Sequence, residues 1–356
     1  MVLPSCDQVF NMKGGFVVDL KTVREQAKVK LKGYCRFCPI CDGRACAGEV
    51  PGMGGSGTGS AFRANLEALN KYKLNMRTIH NAKEENIDTT LNLFGHKLNT
   101  PILAAPMTGT PYNMGGALTE REFIGMVVTG SRQAGSIGLT GDGADPAMYQ
   151  SGIEAIKEEQ GWGIPIIKPR EQVVIIDMIK NAEDSGAQAV GIDIDGAGLV
   201  TMALKGQPVG PKTTAELKEV ISATKLPFIL KGIMTVDEAK LAVEVGAAAI
   251  VVSNHGGRVL DHTPGAAAVL PAIAEAVAGK VTIIADGGVR SGIDTLKLLA
   301  LGADAVLVGR PLVVGAFGGG SEGAKLIIDK YTSELKQAMI LTGCRSLAEI
   351  SKEILY

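Results

Sequence analysis

The sequence has few large rings and no surplus of charge. Its 356 residues include one Trp, six Tyr and eight Phe, and 36 basic side chains face 37 acidic ones. That balance removes the electrostatic reason to expect a nucleic acid or an anionic membrane as partner. Long apolar runs are missing too. No stretch approaches the ~20 residues that cross a bilayer, and the start shows no apolar core of a secretory segment, so a cytoplasmic protein is expected. A dinucleotide fingerprint is absent behind the first apolar run, where Ala104-Ala105-Pro106-Met107 stands instead. That argues against an open nucleotide-binding sheet. Glycine, by contrast, is abundant at 46 residues. Such a composition suits many tight turns and a backbone that a phosphorylated ligand approaches closely.

Past residue 100 one unit recurs: an amphipathic helix, a Gly-Ala pair, then an apolar run with polar residues at its end. It reads Ala182 to Ala187 before 189–195, Ala242 to Ala247 before 249–254, and Leu298 to Ala303 before 305–310. Glycine at the end of each helix fits the left-handed C′ position. The continuously apolar run fits a strand buried on both faces. Eight such strands are expected, at 101–105, 136–140, 164–168, 189–195, 228–231, 249–253, 281–285 and 305–309. Helices are expected between them, among others at 170–185, 235–245 and 292–301. Eight alternating units predict an α/β fold closed as a (β/α)8 TIM barrel over 101–356. Residues 1–100 form a helical, Cys-rich N-terminal extension in this reading. It carries helices near 19–32 and 61–71, and an extended pair at 89–94 and 97–101 that closes the barrel bottom. The Gly-rich stretch 51–60 reads either as a flexible linker or as an ordered turn against the site.

Chemistry in such barrels sits at the C-terminal strand ends. Those ends hold Thr108, Thr140, Lys168, Asp193, Asp195, Lys231, Ser253, Asn254, His255, Asp286, Arg290 and Arg310. Asp286-Gly287-Gly288-Val289-Arg290 opens the helix after strand seven, and Gly309-Arg310-Pro311 opens the one after strand eight. Together they place backbone N–H groups, a helix N-terminus and two guanidinium groups around one point, a phosphate site. In Ser253-Asn254-His255-Gly256-Gly257-Arg258, a His can abstract a proton beside an Arg suited to gripping a carboxylate.

These segments resemble the FMN-dependent 2-hydroxy acid dehydrogenases and oxidases, which include glycolate oxidase and lactate oxidase. The likeness covers nearly the whole chain. It runs through N-T-P-I-L-A-A-P at 99–106, L-K-G-I at 230–233, S-N-H-G-G-R-V-L-D at 253–261, D-G-G-V-R at 286–290 and L-A-L-G-A-D-A-V-L-V-G-R-P at 299–311. It implies bound FMN and oxidation of a lactate-like L-2-hydroxy acid. His255 would take the hydroxyl proton, Asp195 would pair with it, Arg258 would hold the carboxylate, and Lys231 would sit at flavin N1. Pro106, Met107, Thr108, Thr140, Lys168, Asp193, Ser253, Asp286, Gly287, Gly288, Arg290, Gly309 and Arg310 would hold the cofactor. The resemblance also implies a homo-oligomer, a tetramer. An FMN barrel of other chemistry, such as a type 2 isopentenyl diphosphate isomerase or an ene-reductase, and a redox-sensing flavin and cysteine protein are the alternatives.

The departures bear on the substrate. Gly163 and Pro165 stand at the family's strand-three glutamine and tyrosine, and Asp193 replaces a threonine. The family's N-terminal tyrosine has no counterpart near Gly52-Met53-Gly54, and its second arginine is missing from Gly196 to Leu199. The connection between strands four and five is only about 32 residues. Tyr112 and Asn113 are candidate substitutes.

Four of the six cysteines, Cys35, Cys38, Cys41 and Cys46, crowd into twelve positions. In a reducing compartment they read as metal ligands before disulfides. The spacing approximates iron–sulfur ligands, a [4Fe-4S] centre relaying electrons to a protein acceptor. Structural zinc and free thiols are the other two readings.

Overall fold

The computed structural model describes residues 19–356. The hairpin strands β1 (Leu91–Leu93) and β2 (His96–Leu98) come first. They are followed by β3 (Ile102–Met107), β4 (Gly138–Thr140), β5 (Ile164–Ile167), β6 (Val190–Asp193), β7 (Phe228–Ile233), β8 (Ala249–Val252), β9 (Thr282–Ala285) and β10 (Ala305–Val308). Strands β3 to β10 pair in parallel in chain order and close through β10 and β3. The eight strands expected from the apolar runs are the eight staves of this barrel.

Continuous apolar runs are needed because both faces of each strand are covered. Leu103, Leu139, Ile164, Ile166, Ile229, Val251 and Leu307 fill the barrel interior. Ile102, Ile167, Ile192, Leu230 and Ile250 face the surrounding helices. Leu93 and Leu98 of the hairpin join the interior group, so β1 and β2 plug the N-terminal end. The opposite end stays open for chemistry. Gly186, Gly246 and Gly302, at φ of 75°, 90° and 108°, cap the three helices read from the repeat.

Ahead of the barrel lie α1 (Leu20–Lys30), N-capped by Asp19, and α2 (Ser60–Lys71). Residues 31–59 between them fold as turns and bends. The helix expected to open at Gly309-Arg310-Pro311 runs on as the long span Arg310–Thr342, which ends the barrel and is kinked at Gly319 and Gly320. It packs against α1 so closely that a Cβ on Gly318 would lie 1.9 Å from the carbonyl oxygen of Val23. No helix among the described residues is long and apolar enough to cross a membrane.

Candidate active site

His255 follows β8 on a turn in which three successive residues, His255, Gly256 and Gly257, have φ of 57°, 63° and 76°. A left-handed conformation costs a non-Gly residue about 1–2 kcal/mol, so the surroundings must hold it. They do so on both sides. The backbone N–H of His255 donates to Ser253 Oγ at 3.0 Å. The Asn254 side chain accepts from Gly257 N at 3.2 Å and from Asn65 Nδ2 of α2 at 2.7 Å, and it donates to Ala61 O at 3.3 Å. The Asn65 to Asn254 brace, buried on both sides, ties the catalytic turn to the N-terminal extension.

His255 Nδ1 lies 3.0 Å from Asp195 Oδ1 and 3.4 Å from Asp193 Oδ2. With Nδ1–H donated to Asp195, Nε2 is the nitrogen left to act as a base. Asp193 in turn is gripped by two lysines: Lys231 Nζ at 2.9 Å from its Oδ1, and Lys168 Nζ in contact with its Oδ2. Burial alone would neutralise Asp193. The charges of His255, Lys168 and Lys231 overcome it and hold the carboxyl well below the usual range. Burial likewise opposes the Lys231 charge, and Asp193, Asp195 and Asp286 reverse that, keeping the ammonium more firmly protonated than usual.

Arg258 lines the same cavity. Its Nη1 donates to the carbonyls of Gly52 and, at 3.4 Å, Gly54, and its Nη2 donates to Asn113 Oδ1 at 3.0 Å. Asn113 Oδ1 also accepts from Gly52 N at 3.0 Å, and its Nδ2 donates to Thr108 O at 3.1 Å. The Gly-rich stretch is therefore an ordered turn over the site, locked to the guanidinium. Nε and the second Nη2 hydrogen remain, the edge geometry suited to a carboxylate.

Behind this lies a cluster of positive charge. Arg310 donates to Met53 O at 2.8 Å, Gly54 O at 3.1 Å and Gly256 O at 3.2 Å, with its guanidinium 4.0 Å above the Phe62 ring. Arg290 donates to Val289 O and to Cys41 Sγ at 3.4 Å. Burial, then the charges of Arg258 and Arg290, pushes Arg310 down to about 9; burial pushes Arg258 down to about 10. Among the described residues none of these three arginines has a carboxylate within 4.0 Å. Buried cations without anions want a counter-charge, and a phosphate at the N-terminus of the Arg310 helix supplies it. Asp286 Oδ1 is a buried acceptor with no donor, and burial raises that carboxyl. A hydroxylated chain running from the phosphate suits it. The residues present thus fit FMN: a clasp for the phosphate, an acceptor for the ribityl hydroxyls, and the Lys231 cation deeper in.

Most residues singled out in the sequence meet at this cavity. Pro106, Met107, Thr108, Lys168, Asp193, Lys231, His255, Arg258, Asp286, Gly287, Gly288, Arg290, Gly309 and Arg310 line it. Asp195 stands behind His255. Two of the residues expected at the cofactor are not on its wall. Thr140 is fully buried with its hydroxyl turned toward Gly152 of the next helix, and Gly141 takes its place at the cavity. Ser253 is also fully buried and supports the His255 turn from below instead of lining the cavity. On β5 the cavity-facing positions are Ile166 and Lys168, not Gly163 and Pro165. Met53, Tyr112, Leu199, Leu204 and Lys205 complete the wall; only Tyr112 among them was considered from sequence. Cys35, Cys38, Cys41 and Cys46 are unpaired thiols in turns beside the arginine cluster. Zinc would hold four thiolates about 3.8 Å apart, from bonds of about 2.3 Å. Among the described residues no three of these sulfurs lie within 4.8 Å of one another.

A parallel barrel with a phosphate clasp, a fixed ammonium and a carboxylate-paired histidine at its C-terminal end defines a flavin-dependent oxidoreductase site. The chain belongs to the FMN-dependent dehydrogenase family, whose family model matches residues 52–203 and 197–356. The cysteine cluster lies ahead of the matched region. A 2-hydroxyacid oxidase of Dictyostelium discoideum is 32% identical over 336 residues, spanning 85% of this chain and 84% of that one. The 2-hydroxyacid oxidase 2 of Bos taurus is 32% identical, spanning 82% and 88%. A crystal structure of mandelate oxidase superposes with a TM-score of 0.76 at 28% identity, over 94% of this chain and 97% of the other.

Proposed function

We propose that the protein oxidises an L-2-hydroxy acid to the 2-oxo acid with FMN as cofactor. The observation that carries this is the convergence of the His255–Asp195 pair and the free edge of Arg258 on the cavity that holds the arginine clasp. Arg258 holds the substrate carboxylate on its Nε and Nη2 edge, in an orientation set by Asn113 and Gly52. His255 Nε2 takes the hydroxyl proton. Asp195, accepting Nδ1–H, favours the imidazolium that results. FMN, bound by Arg290, Arg310 and Asp286, supplies the acceptor for the α-hydrogen at its N5. Lys231 sets a fixed positive charge where negative charge develops. The relatives, 2-hydroxyacid oxidases by name, give no support to the isomerase, ene-reductase or sensor alternatives. Bleaching of the flavin spectrum under argon by an L-2-hydroxy acid, lost in His255→Ala, is the expected result. Unchanged bleaching in His255→Ala removes His255 from the chemistry.

The four clustered cysteines are read as ligands of an iron–sulfur centre. Their number, their spacing and the contact of Cys41 with Arg290 at the phosphate clasp support this. Held there, the centre would supply a one-electron outlet toward a protein acceptor. Iron and acid-labile sulfide in anaerobically purified protein are expected; their absence overturns the reading.

A further inference from the structure

Strands β5, β6 and β7 end side by side, and Asp193 and Lys231 are register partners. Lys168, Asp193 and Lys231 therefore reach the cavity at one level of the barrel, all three buried, at 5%, 3% and 3% exposure. The carboxylate of Asp193 takes one lysine on each oxygen. His255 uses its own partner, Asp195, at the shorter distance. The catalytic scheme above uses Lys231 alone and leaves Lys168 and Asp193 without a task. Two ionised groups buried this deeply beside a reaction centre are costly to keep.

We propose that Lys168 and Asp193 are a charge pair that sets the reduction potential of the bound flavin. The proposal rests on the FMN reading. A fixed charge in a water-poor cavity acts strongly on charge developing nearby. Asp193 offsets part of the field of Lys231, and Lys168 offsets Asp193. The trio as a whole leaves one net positive charge, held rigidly by the shared carboxylate. Removing either member unbalances it, and in opposite directions. Asp193→Asn leaves two ammonium groups facing the cavity and makes the flavin easier to reduce. Lys168→Met leaves Asp193 to cancel Lys231 and makes it harder to reduce. The double variant restores one net charge. A merely structural role for the pair would not produce shifts of opposite sign.

The test equilibrates FMN-loaded protein with a reference redox dye at neutral pH and reads the ratio of reduced to oxidised flavin. The expected equilibrium constant for reduction rises about tenfold in Asp193→Asn and falls about tenfold in Lys168→Met, each about 30 mV for a two-electron couple. In the double variant it returns close to the parent value. Shifts of the same sign, or no shift in either FMN-loaded single variant, overturn the proposal. So does a double variant displaced as far as a single one. Parent protein that takes up no FMN refutes the cofactor reading, and the tuning with it. If a single variant fails to hold FMN, the double variant and the other single decide.

Discussion

Asn113 is the side chain through which the Gly-rich turn, Arg258 and the loop after β3 meet. Its oxygen accepts from both Arg258 and Gly52 while its amide fixes Thr108 O. Asn113→Ala frees the guanidinium to rotate. A hydrogen bond to a charged group contributes about 1.5–3 kcal/mol, so kcat/KM should fall about 10- to 100-fold. KM should carry most of the loss, and FMN binding should be unchanged. Steady-state kinetics with a 2-hydroxy acid check this; a fall in kcat at constant KM would contradict a role in orienting the carboxylate grip. The sequence offered Asn113 as a candidate substitute at the substrate site, but not its bond to Arg258, since that partner lies 145 positions away. Thr140 shows the opposite failure. Its place at a strand end was legible, but which face it takes depends on strand parity, and β4 puts Gly141 at the cavity. The pair of Asp193 with Lys168 was beyond sequence reasoning for the same reason: neighbours on adjacent strands are distant in the chain.

The barrel strands were legible because burial on both faces leaves only apolar runs, and the repeated Gly-Ala ends marked their spacing. Only the start of the Arg310–Thr342 helix was legible, at Pro311; its length was not, because its glycines blur any amphipathic period. Those glycines are where it touches its neighbours. At Gly318 even a methyl group collides with the backbone of α1. Gly318→Ala should therefore destabilise by about 1–3 kcal/mol, the usual range for overpacking. Thermal unfolding checks this: a lowered midpoint is expected, and an unchanged one would mean that α1 shifts freely. The turn 51–59 belongs to the same scale. It reads as a linker by composition, and it is ordered because Arg258 and Arg310 use its carbonyls as acceptors.

The whole molecule joins an extension to a barrel through the clasp: α2 braces Asn254, the Gly-rich turn takes both arginines, and Cys41 touches Arg290. Cofactor and extension should therefore stabilise each other. FMN should raise the thermal midpoint of apoprotein with the logarithm of its concentration over Kd. Riboflavin, which lacks the phosphate, should bind at least about a hundredfold more weakly, from two charge-assisted contacts of about 1.5–3 kcal/mol each. Titration of apoprotein by flavin fluorescence checks this, and equal affinities would remove the clasp. The central claim is the oxidation itself, and anaerobic reduction of FMN-loaded protein by a panel of L-2-hydroxy acids tests it most directly. Bleaching of the flavin by at least one member, abolished in His255→Ala while FMN stays bound, is the expected result. A flavin that dithionite reduces but no hydroxy acid bleaches would contradict it.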